Sequence, residues 1–272
     1  MELTWYPAPG KLNLFLHVLG RRREGEYAGY HELQTVFRLV DRSDRVGVAL
    51  RRDGKILFDG PYGEDNLCVR AAKLLGKGCE LSLEKNVPVG GGMGGGSSDA
   101  ATVLLVLNRL CGLRMGREEL MSLALRLGAD VPFFVFGENA IGEGIGERLR
   151  AIELPPAWYF VVTPQVSVST KETFESALTR PSKGIKIPPF LSGQGRNDLE
   201  AAVAARYPDV AASLAWLRKH RPQARMTGSG ACVFAEFDTE AQARALQSDL
   251  PGEMRGFVAR GLERHPLYDF AH

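Results

Sequence analysis

The sequence predicts an α+β protein with two domains, and three observations support this prediction. The chain has 272 residues, a length that suits two domains of ordinary size. Hydrophobic residues make up 44% of the chain, which is enough to build a core. Strand-like and helix-like patterns are mixed in both halves, as expected for the α+β class.

The first predicted strand lies near the N-terminus. Apolar side chains occupy every second position there: Leu12, Leu14, Leu16 and Val18. This period of two is typical of a half-buried strand. Lys11 and Asn13 are two residues apart, so their side chains are expected on the same face.

A hairpin and a capped helix are predicted next. Apolar runs at 46–50 and 56–58 flank the turn pair Asp53-Gly54, which predicts that the two runs form a hairpin. Asp65 or Asn66 then caps a helix that reaches about Leu75. Gly76 is expected to end this helix, and Leu81 and Leu83 mark a further strand.

Six glycines occupy the seven positions from Gly90 to Gly96, interrupted only by Met93. Glycine weakens a regular element by roughly 0.5–1 kcal/mol relative to alanine, so a run this dense needs a compensating use. A helix that opens with Ser97-Ser98-Asp99 follows. Because a helix N-terminus offers unpaired N–H groups and partial positive charge, the run is interpreted as a phosphate-binding loop rather than a flexible hinge.

Two more helices are predicted in the first half, Ala100 to Leu110 and Arg117 to Leu127. The first is apolar on nearly every side, as a buried helix is. The following segment, Ala129 to Phe134, interrupts the helical period and places Asp130 in an apolar neighbourhood.

The pattern of predicted strands and helices restarts after Leu154-Pro155-Pro156, where we place the domain boundary. The expected domains are therefore 1–154 and 155–272. Strands and helices are mixed there too: a strand at 158–162, helices at 197–206 and 208–219, a strand at 231–237, a helix at 239–250 and a strand from 256.

Composition excludes several classes of protein. The net charge is +2, from 34 basic and 32 acidic residues, so neither a nucleic-acid nor a membrane partner is predicted. The four cysteines form no CxxC pair, which argues against a zinc site and a disulfide scaffold. Reduced thiols and the lack of a membrane or secretory segment predict a cytoplasmic protein.

Two common phosphate-loop families do not fit the glycine run. A Walker A loop requires a lysine before its serine, but Gly96 precedes Ser97 directly. A dinucleotide fingerprint fits Gly90, Gly92 and Gly95 loosely, yet the acidic residue expected about 20 positions later at a strand end is missing. A loop of a third kind remains.

Three separated segments resemble the three motifs of the GHMP small-molecule kinases. They are Pro9-Gly10-Lys11-Leu12-Asn13-Leu14, the segment from Pro88 to Ser98, and Thr227-Gly228-Ser229-Gly230-Ala231. Further matches in the same order are Gly29-Tyr30-His31, Asp65-Asn66-Leu67, Leu127-Gly128-Ala129-Asp130-Val131-Pro132 and Cys232-Val233-Phe234. Gly10, where alanine is usual, and the long loop from Arg21 to Ala28 depart from the family pattern.

The resemblance implies a two-domain GHMP kinase architecture. Its N-terminal domain is like domain 2 of ribosomal protein S5, and its C-terminal domain is ferredoxin-like and contributes to the substrate cleft. ATP is the implied phosphoryl donor, Mg²⁺ is expected with it, and the implied acceptor is a cytidine diphosphate-linked methylerythritol of the non-mevalonate isoprenoid route. No metal ligand and no oligomeric state is predicted.

Lys11 and Asp130 match the catalytic lysine and aspartate of the family. Phosphoryl transfer needs positioning, charge neutralisation and removal of the acceptor's proton. Asp130 is the expected base, although the local sequence alone favours a helix cap. Lys11 is expected to hold that carboxylate ionised and to stabilise the transferring group.

The remaining candidate residues fall into two groups. Asn13, Tyr30, His31 and Phe174 are expected to bind the substrate, the aromatic rings by stacking on the cytosine. The ATP-binding group is Asn66, Leu67, Pro88, Val89, Gly90, Gly91, Gly92, Met93, Gly94, Gly95, Gly96, Ser97 and Ser98. Asn66, Ser97 and Ser98 are equally good helix caps.

Two alternatives remain open at this point. Another GHMP kinase, for homoserine or mevalonate, has no need of a nucleobase clamp, so Tyr30, His31 and Phe174 discriminate against it. A regulator that binds nucleotide without catalysis has no need of both Lys11 and Asp130.

Overall fold

The computed structural model describes residues 2–25, 27–176 and 195–271. Within these residues a six-stranded sheet is followed along the chain by a four-stranded one. The strands are β1 Thr4–Arg21, β2 His31–Leu50, β3 Ile56–Asp59, β4 Cys79–Glu84, β5 Ala140–Gly144 and β6 Arg148–Ala151, then β7 Trp158–Val162, β8 Arg225–Met226, β9 Val233–Phe237 and β10 Gly256–Arg260. The helices are α1 Leu67–Leu75, α2 Gly95–Leu110, α3 Arg117–Leu125, α4 Val131–Phe136, α5 Thr170–Ser176, α6 Glu200–Arg206, α7 Pro208–His220 and α8 Glu240–Ser248.

The first strand is buried on both faces, so the prediction of a half-buried strand was wrong. Every residue from Ala8 to Val18 is buried. Helix α2 contacts β1 in the first half of the protein. On the other side, Leu12 and Phe15 belong to a core cluster that includes Phe234 of β9. β1, a strand of the first sheet, is therefore covered by α2 on one face and by the second sheet on the other, which a period-two pattern cannot reveal.

The predicted hairpin around Asp53-Gly54 is also wrong. Strand β4 lies between β2 and β3, antiparallel to the first and parallel to the second. Gly78 makes this order possible, because a Cβ added there would lie 2.6 Å from the Cα of Gly54. The chain can thus pack closely against the turn as it enters β4, which lies between β2 and β3.

The helix predictions hold with small shifts. Asn66 caps α1 by accepting a hydrogen bond from the backbone N–H of Cys68 at 2.8 Å, and Gly76 ends the helix at a φ of 62°. Helix α2 begins at Gly95, two residues before Ser97, and its residues 98–108 are all buried. The interruption expected at 129–134 contains the short helix α4, which carries Pro132 in its first turn, where proline is tolerated.

The second sheet has the order β10-β7-β9-β8, and the helices expected between its strands along the chain are present. The C-terminal segment 261–271 then returns to the first sheet. There the Leu262 N–H donates to the Leu39 carbonyl, and the His265 N–H donates to the Gly137 carbonyl, both at 2.8 Å. Among the described helices, none has the length and apolar character that crossing a membrane requires.

Candidate active site

A cavity of about 1060 Å³ lies where the two sheets meet, and it is lined from both halves of the chain. Lys11 of β1, the glycine run and Asp130 line it from the first half, and Phe174 and Gly228 line it from the second. Its size is ample for a small-molecule ligand.

The glycine run forms a loop that ends at the N-terminus of α2. Gly90, Gly92 and Gly94 have φ values of 68°, 74° and 71°, which side chains rarely adopt. Gly95 and Gly96, in the first turn of α2, line the cavity. The unpaired N–H groups and the dipole of this helix end give the loop the chemistry of a phosphate site.

The loop is also pressed against the second half of the chain. A Cβ added at Gly92 would lie 2.2 Å from the carbonyl oxygen of Thr227. The backbone N–H groups of Ala231 and Cys232 donate to the carbonyls of Gly90 and Gly91 at 3.2 and 3.1 Å. The glycines are therefore required for close backbone packing as well as for an open loop.

Lys11 is buried beneath this loop. Its ammonium donates to Oδ1 of Asn13 at 2.5 Å and to the carbonyl of Gly92 at 2.8 Å. It also lies 3.5 Å from Oδ2 of Asp130. Burial lowers the pKa of Lys11, and the charge of Asp130 opposes that shift. The shared face predicted for Lys11 and Asn13 is present.

Asp130 occupies the cap position of α4 but does not cap it. The side chain makes no hydrogen bond to the first turn of the helix, and it is 37% exposed in the cavity. A carboxylate that caps a helix points at backbone N–H groups. Asp130 points instead toward Lys11, so the cap interpretation does not account for it.

Thr227, the first residue of the third family motif, completes the surroundings of Asn13, a role that was not predicted. Its buried hydroxyl accepts a hydrogen bond from the Asn13 N–H at 2.8 Å and faces the Gly92 carbonyl at 3.5 Å. The amide of Asn13 donates to the hydroxyl of Thr35 at 2.9 Å. The sequence signals for Thr227 are its place at the start of the third family motif and its hydroxyl before a glycine turn.

Tyr30, His31 and Phe174 meet at one end of the cavity. The rings of His31 and Phe174 stack at 5.1 Å between centroids and 21° between planes, and Tyr30 is exposed. Nε2 of His31 is buried and has no hydrogen-bond partner among the described residues. Burial, together with the charge of Arg21, lowers the pKa of His31, so the imidazole is neutral at pH 7.

The other end of the cavity is lined by Asn66, Leu67 and the segment 88–97. The Asn66 amide is occupied by structure, since Oδ1 caps α1 and Nδ2 donates to the Pro61 carbonyl at 3.0 Å. Ser97 lines the cavity, whereas Ser98 is fully buried and lies outside the lining. Exposed Tyr62 also lines this end and was not predicted.

A buried charge cluster beneath the loop was missed as well. Lys85 forms ion pairs with Asp44 and Asp99, the latter at 2.6 Å. Asp44 also accepts the backbone N–H of Val87 at 2.7 Å, just before the glycine run. The three residues lie apart in the sequence, at a strand, a strand end and a helix, so no local pattern joins them.

The described residues contain no group of three histidine, cysteine or acidic side chains that could hold a metal by themselves. Asp130 and Ser97, whose side chains carry oxygen atoms, line the cavity. Mg²⁺ takes oxygen ligands and commonly uses one or two protein groups together with substrate phosphates. This donor set fits such an ion. All four cysteines are free thiols, as predicted.

Comparison with known proteins agrees with this geometry. Residues 66–138 match the N-terminal domain of the GHMP kinases, and residues 189–256 match their C-terminal domain. The 4-diphosphocytidyl-2-C-methyl-D-erythritol kinase of Nitrosospira multiformis is 58% identical, over 97% of this chain and 93% of the relative. The chain belongs to the GHMP kinase family.

Other relatives narrow the position within that family. The 4-diphosphocytidyl-2-C-methyl-D-erythritol kinase of Thiobacillus denitrificans is 56% identical, over 97% of this chain and 98% of that one. A crystal structure of 4-(cytidine 5'-diphospho)-2C-methyl-D-erythritol kinase superposes with a TM-score of 0.84 at 33% identity, covering 95% of this chain and 99% of that one. This GHMP kinase therefore groups with the 4-diphosphocytidyl-2-C-methyl-D-erythritol kinases.

A more distant likeness concerns the fold alone. A Methanococcus jannaschii mevalonate kinase structure superposes with a TM-score of 0.69 at 14% identity, over 96% of this chain and 98% of that one. The predicted two-domain GHMP kinase architecture is confirmed.

Proposed function

We propose that this kinase transfers the γ-phosphoryl group of ATP to the 2-hydroxyl of 4-diphosphocytidyl-2-C-methyl-D-erythritol. The observation that supports this most strongly is the position of the Lys11–Asp130 pair. The two charges, 3.5 Å apart, line the same cavity as the phosphate-type loop and the stacked rings of His31 and Phe174. The ATP phosphates, the reacting hydroxyl and the cytosine base can thus all bind in the same cavity.

Asp130 is proposed as the general base. Its carboxylate is partly exposed in the cavity and has no capping role, so it is free to accept the proton of the acceptor's hydroxyl. Lys11 is proposed as its electrostatic partner. The buried ammonium lies 3.5 Å from the carboxylate and stabilises negative charge on the transferring group.

The glycine loop and the first turn of α2 are proposed to hold the phosphates of ATP, with Ser97 donating to them. Asn66 and Leu67 are proposed to border the adenine, through contact rather than through the occupied amide of Asn66. Mg²⁺, if held by the phosphates with Asp130 or Ser97, supplies neutralisation of their negative charge.

The aromatic end is proposed to bind the cytidine. His31 and Phe174 are already in contact, so a base uses the outer face of this pair or separates the rings. Nε2 of His31, which has no hydrogen-bond partner in the described part of the chain, gives a neutral group that can hydrogen-bond the polar edge of cytosine. Tyr30 adds an exposed ring to this half-buried pair.

We also propose the domain limits 1–154 and 155–272, with segment 261–271 of the second domain packed back against the first. The change of sheet between β6 and β7 supports the boundary. Small molecules are the proposed partners, and nucleic acid and membranes are not. The cytoplasm is the proposed location.

A phosphorylation assay with a panel of alcohols tests the substrate. Purified protein, ATP and Mg²⁺ are combined in turn with the cytidine diphosphate-linked methylerythritol, free methylerythritol, homoserine and mevalonate. We expect ADP release with the cytidine-linked alcohol and at least about 100-fold lower kcat/KM with the others, because they cannot fill the His31 and Phe174 site. Equal turnover of homoserine or mevalonate would contradict the proposal.

A further inference from the structure

Asp130 lies at the tip of a helical hairpin. Helices α3 and α4 are joined by residues 126–130, and the first residue of α3, Arg117, contacts the last residues of α4. The carboxylate of Asp130 has Lys11 as its charged partner at 3.5 Å and makes no cap hydrogen bond. Its position is therefore determined by the backbone of the hairpin.

Arg117 closes the open end of this hairpin. One of its terminal nitrogens, Nη1, donates to the carbonyls of Val135 and Phe136 at 2.7 and 3.1 Å. These carbonyls belong to the C-terminal end of α4, where backbone oxygens lack helical partners and positive charge is favoured. Arg117 thus satisfies the end of α4 opposite to Asp130.

The same guanidinium holds the C-terminal segment. Nη2 donates to the carbonyls of Tyr268 and Ala271 at 2.7 and 3.3 Å, and the guanidinium carbon lies 3.9 Å from the centre of the Tyr268 ring. The His265 N–H donates to the carbonyl of Gly137, immediately after α4. Hairpin and C-terminal segment therefore form one hydrogen-bonded unit.

A shift of α4 would displace the side chains and the glycine loop that pack against it. The Phe133 ring stacks on Phe37 at 4.7 Å, and Phe37 lies under the Lys11 ammonium. The Phe134 ring lies 3.0 Å from where a Cβ on Gly94 would be. Close-packed interiors transmit such displacements instead of absorbing them.

We propose that Arg117 and the C-terminal segment 265–271 are positioning elements for Asp130. By fixing the C-terminal end of α4 against the first residue of α3, they set the orientation of the hairpin and hence the separation between the Asp130 carboxylate and the Lys11 ammonium. This inference rests on the proposed role of Asp130 as the base. It assigns a function in catalysis to a residue and a segment that lie outside the cavity lining.

Kinetics of Arg117 variants test the proposal. Misplacement of a reacting group by about 1 Å can cost 10²-fold in rate, so Arg117→Ala is expected to lower kcat by about tenfold or more. The KM for ATP is expected to change less than about twofold, because the glycine loop has its own anchors. Arg117→Lys keeps the positive charge but can make fewer hydrogen bonds. Its kcat should lie between the values for wild type and Arg117→Ala. Unchanged kcat in both variants would overturn the proposal.

A double-variant cycle separates this inference from the proposed base. If Arg117 acts through Asp130, Arg117→Ala should cause little further loss of kcat in an Asp130→Asn background. An equal loss in both backgrounds overturns the positioning role while leaving the base intact. Normal turnover of Asp130→Asn alone contradicts the base, whatever the Arg117 variants do.

A matched control excludes general destabilisation. Leu246→Ala opens a cavity in α8, a helix packed in the core of the second sheet, and is expected to lower Tm. Its kcat at 25 °C should stay near wild type. If Leu246→Ala and Arg117→Ala lose equal Tm and equal kcat, the effect of Arg117 is structural only and the proposal fails.

Discussion

The neighbours of each buried charge decide how that charge behaves. Lys11 has one carboxylate at 3.5 Å, and burial lowers its pKa. Burial also acts to lower the pKa of Lys85, yet two carboxylates in direct contact raise that pKa above its ordinary value. Lys11 is therefore the ammonium that can still gain from further negative charge, as expected beside a transferring phosphoryl group.

His265 gives a pH prediction at this scale. Burial, together with the charge of Arg117, lowers the pKa of His265 to about 3. The unfolded state takes up a proton near pH 6.5 and the folded state does not, so stability is lost as the pH falls from about 6.5 toward 3. His265→Asn removes this titration. In thermal melts at pH 7 and pH 4.5, the drop in Tm should be smaller for the variant; equal drops would contradict the assignment.

At the scale of elements, local signals served well where one residue determines a local structure. Asn66 and Gly76 set the ends of α1, and both were readable from the sequence. The order of β2, β4 and β3 could not be predicted in the same way, because the strand that separates β2 from β3 lies more than 20 residues after the turn. The contacts of Thr227, Lys85 and Arg117 could not be predicted for the same reason, because their partners are distant in the chain.

The glycine loop supplies a prediction with a control inside the same run. At Gly92, a Cβ would lie 2.2 Å from the Thr227 carbonyl oxygen, and φ is +74°. Gly92→Ala is expected to lower the free energy of unfolding by roughly 1–3 kcal/mol. Gly96→Ala, whose Cβ has its nearest neighbour at 3.9 Å and which lies in α2, should change stability by less than about 1 kcal/mol. Urea unfolding of both variants without ligand measures the difference, and equal losses would be inconsistent with close packing at Gly92.

At the scale of the whole molecule, β1 joins the two cores. Its apolar residues contact α2 on one side and the second sheet on the other, and the Leu16 N–H and carbonyl bond to residues 196 and 198. Family resemblance anticipated the architecture and the meeting of Lys11 with Asp130. Periodicity alone did not, since it cannot show that both faces of one strand are covered.

Two variants of Thr227 test whether its contact with β1 matters for stability and turnover. Its hydroxyl is the described partner of the buried Asn13 N–H, at 2.8 Å. Thr227→Val keeps the shape and leaves that N–H unpaired, which should cost about 1–3 kcal/mol of unfolding free energy and lower kcat through the neighbouring Lys11. Thr227→Ser keeps the hydroxyl and should behave nearly as wild type. Indistinguishable unfolding curves for the two variants would rule out this role.

The most direct test of the account is the turnover of Asp130→Asn. The change keeps the size of the side chain and removes its capacity to accept the proton of the acceptor. Steady-state assays with the cytidine-linked alcohol should show kcat lowered by about 10²-fold or more, with ATP binding near wild type by calorimetry. A kcat near that of the wild type would contradict the assignment of Asp130 as the base.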